Sequence, residues 1–336
     1  MGKYLKKFST DPARVEYEGS NDYIEPYVSY VEGDNTVHYN KFKAILIATY
    51  NVEDTSNPTS LFAGGESMGF PASAIYDKIE IDNEEIDMSD LSSLGEDIPF
   101  YGYDFTRGGQ HTVKYTLKDQ TMLGFENDEE TGMPKVGATF IGCPITSVEI
   151  PNSVISIGVW AFASCSGLTS VTIPNSVTSI GDSTFSGCES LASVTIPSGV
   201  TSIGDRVFYD CTSLTSITIP NSVITIGEEA FRNCNSLTNI TIPNGVTSIG
   251  NGAFYNCSGL TSVTIGSGVT SISDYTFNYC TGLTSVTIEA ATPPTLGGDV
   301  FFDTNDCPIY VPSASVETYK AASGWSDYAS RIQAIP

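Results

Sequence analysis

Two histidines, His38 and His111, and eight cysteines are the residues of this 336-residue chain whose types suit catalysis or metal binding. A hydrolytic site needs a base beside a nucleophile, and neither histidine stands near a Ser or Cys motif of that kind. Both are therefore read as structural. Zinc would require close cysteine pairs such as C-x-x-C. Instead Cys143, Cys165, Cys188, Cys211, Cys234, Cys257, Cys280 and Cys307 are spaced 22, then 23 five times, then 27. Strands about 4.8 Å apart bring stacked cysteines within the roughly 4.4–6.8 Å that a disulfide spans. Small inward thiols are nevertheless ordinary core filler, so free buried thiols are expected and the redox compartment stays open. The acidic run Glu126-Asn-Asp-Glu-Glu130 lacks the alternating order of a calcium loop and reads as a solvated hinge. No phosphate-cradling glycine loop occurs. The glycines fall at repeat turns, where a positive φ is the expected reason for them. No enzyme and no cofactor are expected.

A repeat sets the cysteine spacing. The unit Leu168–Ser190 begins again at Leu191, Leu214, Leu237 and Leu260, a fixed period that marks a solenoid. Within it Val171 and Ile173 alternate with Thr172 as a half-buried strand does. Pro174 ends the strand, and Val177 and Ile180 point inward from a second extended piece. Gly181 allows a turn. Phe185 and Cys188, three apart, fit one helical or 3₁₀ turn against the core. Copies of each inward position stack, so Phe162, Phe185, Phe208, Phe231, Phe254 and Phe277 form a column, as do Ile157, Ile180, Ile203, Ile226, Ile249 and Ile272.

These units resemble the BspA-like leucine-rich repeats of bacterial surface proteins, over residues 122–336. The tail from Cys307 through Trp325 to Tyr328 is similar to that family's terminal cap. The resemblance implies adhesion or host-protein binding and brings no catalytic motif. The expected fold class is mainly β: a leucine-rich-repeat solenoid of 23-residue units with a C-terminal cap, preceded by a small Ig-like β-sandwich. Four segments follow: a strand-rich attachment segment at 1–40, the sandwich at 41–121, the solenoid at 122–288 and the cap at 289–336. The first solenoid turn is degenerate, keeping Phe140 and Cys143 while 132–136 has lost the strand pattern. In the cap, Val316–Ala322 reads as a short helix and Trp325 as a cover for the last turn. Upstream, 44–50, 78–81 and 111–117 read as strands and 104–109 as a turn. The stretch Gly109–Leu117 resembles the last strand of an immunoglobulin-like sandwich. Val28–Glu32 and Thr36–Tyr39 are expected to pair through Gly33-Asp34-Asn35. The phrase Tyr27–Asn40 resembles short modules of proteins from gut-anaerobe phages and mobile elements, which implies attachment to something larger.

Acidic residues number 39 against 15 basic, a formal net charge of −24. Such a surface repels nucleic acid, which is bound by clustered Lys and Arg. No run of 18 apolar residues is present to span a bilayer. The opening Met1-Gly-Lys-Tyr-Leu-Lys-Lys has no apolar stretch behind its charges and does not read as a secretory signal.

The repeats also indicate where a partner binds. Outward Thr and Ser ladders (Thr172, Ser170 and their copies) hardly vary and suit strand packing. Variation gathers around the Phe turn, in Trp160, Arg206, Tyr209, Arg232, Tyr255, Tyr275 and Tyr279. Tyr, Trp and Arg are over-represented at binding hot spots, and aromatics on a polar ridge suit stacking on sugars. The leading expectation is a non-enzymatic, extracellular or cell-surface adhesion protein. It would bind a protein or glycan of a host or bacterial envelope through this ridge. Two alternatives stand beside it: a phage virion component, tail or capsid-attached, and an intracellular scaffold. The N-terminal strands are the expected route to a homo-oligomer or to virion assembly.

Overall fold

The computed structural model describes residues 28–30, 37–39, 44–52, 59–63, 76–94, 100–103, 109–117, 122–127, 134–136 and 138–336. The chain divides into two units, Met1–Ala44 and Ile45–Pro336. In the first, Val28–Tyr30 pairs antiparallel with Val37–Tyr39, the hairpin expected from sequence. The intervening Gly33–Asn35 lies outside the described residues, as do 104–108 of the expected turn and Asp128–Glu130 of the acidic run.

The second unit is mainly β, and the residues of one repeat explain why. Ser170–Thr172 exposes its two hydroxyl residues and buries Val171. Ser179–Ile180 buries Ile180 in the same way. Most such strands pair in parallel with their copies one turn on, Val194 with Ile217 and Ile226 with Ile249 for example. The two columns are interrupted once each, between Ser179–Ile180 and Ser202–Ile203 and between Ser216–Thr218 and Asn239–Ile242. The inward Val, Ile, Leu, Phe and Cys positions are almost all buried and form one continuous core. Neighbouring Phe rings stack face to face, 5.0–5.8 Å between centroids from Phe140 through Phe301.

The third side of each coil carries the Phe turn, and here the backbone departs from the sequence expectation. Two i to i+3 bonds are present, Ser186 N–H to Ser183 O at 3.2 Å and Cys188 N–H to Phe185 O at 3.1 Å, but no helix follows them. Ser183 and Gly187 on either side have φ of 54° and 73°. This alternation turns every second N–H along the coil axis. Ser183, Phe185 and Gly187 donate to the carbonyls of Asp205, Val207 and Tyr209 in the next turn, at 2.7–3.0 Å. The turn side is thus a hydrogen-bonded ladder.

The expected reason for the repeat glycines is corrected as well. Gly181, Gly204, Gly227 and Gly250 do not have positive φ. A Cβ at Gly250 would lie 2.5–2.7 Å from the backbone of Gly227 and Glu228 in the preceding turn. Close approach between turns requires glycine there. The left-handed positions are held mostly by other residues, among them Trp160, Arg206, Asn233, Tyr275 and Tyr279.

The core does not stop at the ends of the repeats. Toward the N-terminal side, strand Ala44–Val52 pairs antiparallel with Ile145–Glu149, extending that sheet through Gly109–Leu117, Tyr76–Ile81 and Glu84–Glu85. Tyr115 meets Phe140 edge-on at 5.3 Å and touches Tyr76 at 5.1 Å. The hydroxyls of Tyr50 and Tyr115 lie 2.7 Å apart, and both donate to Leu61 O on the smaller sheet of Thr59–Ala63, Phe100–Tyr103 and Ser92–Leu94. The degenerate turn is a hairpin in which Phe125–Asn127 pairs with Pro134–Val136, so strand persists where the sequence pattern fades.

At the other end the stacking runs past residue 288. Thr295–Leu296 and Ile309–Val311 continue the two strand columns. Helix Val316–Ala321 follows, and fully buried Trp325 donates its indole N–H to Pro294 O at 2.7 Å. Buried Arg331 donates to Cys307 O and Thr304 Oγ1 and lies beside the Phe301 and Tyr328 rings.

Candidate binding ridge

The residues that first suggested chemistry have structural settings. All eight cysteines are free and buried. From Cys165 to Cys280 each thiol donates to the carbonyl of the Phe of the preceding turn, 25 residues earlier for Cys165 and 26 for the others, at 2.9–3.2 Å. That carbonyl already accepts the N–H of its own turn's cysteine, so the S–H fills its second lone pair. Burial pushes the thiols up, Cys188 to about 12, which leaves them protonated and unreactive. His111 is 3% exposed, with Nδ1 2.8 Å from Asp82 Oδ2. Asp82 and Asn83, at φ 51° and 72°, form the turn joining Ile81 to Glu84, and the histidine braces it. His38 lies on strand Val37–Tyr39. Among the described residues no group of three or more His, Cys, Asp or Glu is placed to hold a metal ion. No helix among them is long and apolar enough to cross a membrane.

The ridge residues stand in two rows on the Phe turn. Trp160, Arg206 and Tyr275 share the position two before Phe, with Glu229 between the latter pair. Their φ values are 58°, 55°, 58° and, for Glu229, 52°. Tyr209, Arg232, Tyr255 and Phe302 share the position just after Phe. At the intervening turn that place is taken by Asn278, which tucks inward at 4% exposure and donates to Asp299 O at 3.0 Å. Tyr279, the next residue, fills the row instead on left-handed backbone, φ 59°.

The structure brings five of the expected residues into one chain of contacts, in which Glu229 joins the two arginines. Glu229 receives Nε of Arg206 at 2.7 Å and a guanidinium nitrogen of Arg232 at 2.6 Å, while Glu228 lies 3.5 Å from Arg206. Partial burial raises the Glu229 carboxyl, but the hydrogen bonds from Arg206 and Arg232 outweigh it and hold the group below its ordinary value. Arg232 in turn places its guanidinium 4.3 Å from the Tyr255 ring centroid and 5.8 Å from that of Tyr209. Tyr255 meets Tyr279 edge-on at 5.6 Å, and Tyr279 meets Phe302 at 5.8 Å. Arg206, Tyr209, Arg232, Tyr255 and Tyr279 therefore form one chain of contacts. Tyr275 stands beside it in the other row, 44% exposed. Trp160, 51% exposed, lies two turns before Arg206 and outside the cluster.

Phe302 was not anticipated. It lies beyond the break in period at 289–298, although Val300-Phe301 repeats the pattern of Val207-Phe208 and Ala230-Phe231. That pair of residues was the available signal.

A repeat fold with an ordered row of exposed side chains defines the class. Residues 137–224 and 201–322, more than half of the chain, match the BspA type leucine rich repeat region, in six copies. The chain belongs to that family. Among solved structures it is similar to a leucine-rich repeat protein of T. pallidum, with 29% identity, a TM-score of 0.49, and coverage of 55% of this chain and 88% of that one. A leucine-rich repeat protein of Bacteroides ovatus is also similar, with 22% identity, a TM-score of 0.38, and coverage of 56% and 69%. A third, described as a leucine rich cell surface protein of Faecalibacterium prausnitzii, has 21% identity, a TM-score of 0.32, and coverage of 73% and 85%. No curated protein matches the chain.

Proposed function

We propose that this chain is a non-enzymatic recognition protein of the cell surface that binds a protein or glycan through the Phe-turn ridge. Its segment 1–40 serves attachment, and 41–121 acts as an immunoglobulin-like spacer. One observation carries the reading. Exposed Tyr275 and Tyr279 occupy left-handed backbone, which costs a non-glycine residue about 1–2 kcal/mol. Equivalent places elsewhere hold Gly252, Gly187 or Asn256, which accept this conformation readily, as well as Ser164, Ser183, Arg206 and Glu229. Strain carried by an exposed aromatic returns nothing in core packing and fits a role in binding.

Comparison of protease-shaved cell surface, cytosol and purified virus particles from the source culture tests the setting. Enrichment among shaved peptides supports the proposal. Enrichment in the cytosol or in particles overturns the cell-surface part. The paired strands Val28–Tyr30 and Val37–Tyr39 favour one second reading, a virion component, because they fall within the phrase that resembles phage modules.

A further inference from the structure

Basic residues are unevenly placed along this chain. Residues 136–319 contain two, Arg206 and Arg232, against thirteen Asp and Glu. Both arginines close on Glu229. Between Arg232 and Lys320 there is no Lys, Arg or His at all. Over these same turns the ridge is rich in exposed rings: Tyr275 at 44%, Tyr279 at 39% and Phe302 at 53%. Exposed carboxylates border them. Asp274 precedes Tyr275, Asp299 takes the Tyr275 position one turn on, and Asp303 takes that of Tyr279. Asn278 adds a buried Oδ1 without a hydrogen-bond partner, a further partial negative charge within the row.

The neighbouring turn shows what such rings accept. Tyr255 already has a cation against its face, the Arg232 guanidinium. Tyr279 and Phe302 continue the row where the sequence supplies no cation. An aromatic face attracts ammonium or guanidinium through its quadrupole, and nearby carboxylates reinforce the attraction. An extended peptide presents alternate side chains about 6.6 Å apart on one side, close to the 5.6–5.8 Å between successive rings. We infer that Tyr275, Tyr279 and Phe302, with Asp274, Asp299 and Asp303, dock an extended segment of another protein bearing Lys or Arg at alternate positions. The partner's cations continue, turn by turn, the contact that Arg232 makes on Tyr255. This inference rests on the ridge being a binding surface and names the chemistry of its partner.

The test uses the full chain and labelled synthetic peptides of repeating Arg-Ser, Gln-Ser and Glu-Ser, followed by fluorescence anisotropy, with a neutral glycan array alongside. The triple variant Tyr275→Ser/Tyr279→Ser/Phe302→Ser leaves net charge unchanged, and an unchanged melting temperature establishes that it folds. Repeating Arg-Ser is expected to bind with an affinity that falls as salt rises. The triple variant should weaken it roughly tenfold or more, since three ring contacts to cations are removed together. The second variant, Asp274→Asn/Asp299→Asn/Asp303→Asn, should weaken it and flatten the salt dependence. Equal binding of Arg-Ser by wild type and ring variant shows general attraction to an acidic protein and overturns the inference. No binding of Arg-Ser, with a neutral glycan captured by the wild type and lost by the ring variant, overturns it while sustaining the ridge. A ring variant that retains every wild-type ligand overturns both.

Discussion

Tyr275 sets two demands against each other at a single residue. Its ring is exposed and its backbone is left-handed. Replacement by Gly removes about 1–2 kcal/mol of strain and adds about 0.5–1 kcal/mol of unfolded-chain entropy. Tyr275→Gly is expected to raise stability in urea titration by about 0.5 kcal/mol while weakening whatever the ridge binds. Lower stability would mean that the ring packs usefully and the strain argument fails. Glu229 gives a pH signature. Its folded value is lowered, so the stabilisation from Arg206 and Arg232 is fully present above the unfolded value of about 4.3 and disappears as pH falls through the lower folded value. Melting temperatures of wild type and Glu229→Gln, compared from neutral pH downward, should differ by a constant amount above about pH 5 and converge in acid. A difference that persists unchanged to low pH would remove the ion pairs as its cause. The half-exposed Arg206 keeps the expected effect small, within the usual range of about 0–1 kcal/mol for surface pairs.

At the scale of the element, the repeat glycines separate into two kinds that a substitution can tell apart. Gly250 has ordinary backbone but no room for a methyl, because the Gly227 carbonyl group lies in the way. Gly252 has φ 56° and room for a methyl, its nearest neighbours at ordinary contact distance, 3.6–3.7 Å from a Cβ. Gly250→Ala is expected to cost about 2–3 kcal/mol through displacement of a coil, and Gly252→Ala about 1 kcal/mol through backbone strain alone. Chemical denaturation of the two variants measures this directly, and equal losses would contradict the distinction. The same turn shows what the sequence could convey. Phe, Ile, Val and Cys columns were legible because an inward position admits few residue types and recurs every 23 residues. The left-handed positions were not, because Trp160, Arg206 and Tyr275 are residues that ordinarily avoid this conformation. The cross-turn N–H ladder imposes it, and that ladder exists only once turns are stacked. Likewise, the contacts among Arg206, Glu229, Arg232 and Tyr255 depend on registering side chains from successive turns. The sequence could nominate these residues by type but could not join them. Trp160 shares their type and their row, yet falls two turns away.

At the scale of the whole molecule, the aromatic column is closed at both ends. Tyr115 and Tyr76 cover Phe140, and Trp325 and Tyr328 cover Phe301. A solenoid buries each turn only against its neighbours, so exposing an end should loosen it from that end inward. Trp325→Ala is expected to lower hydrogen-exchange protection in residues 289–336 first, while Phe185 and Phe208 retain the protection of the wild type. Uniform loss along the chain would indicate a single cooperative unit. The extension of the core into strands before the repeats was hidden in the sequence for a simple reason. Tyr50, Tyr76 and Tyr115 lie far apart in the chain and outside any period, and only sheet pairing of Ala44–Val52 with Ile145–Glu149 brings them to the first Phe.

The thiol and amide ladders have a consequence for how such a chain changes over generations. Within the regular repeats, cross-turn partners sit at constant offsets, 26 residues for the thiols, 23 for the paired strand positions and 22 for the amides of the Phe turn around Phe185. Excision of residues 214–236 would join Ser213 to Leu237 and present each remaining thiol and amide of the ladders with an equivalent acceptor, at the loss of the Arg206 ion pair. Duplication of a unit does the same. Recombination between copies can therefore lengthen or shorten the molecule in whole steps without inventing a new fold, so that the reach of its surface becomes a number the gene can count.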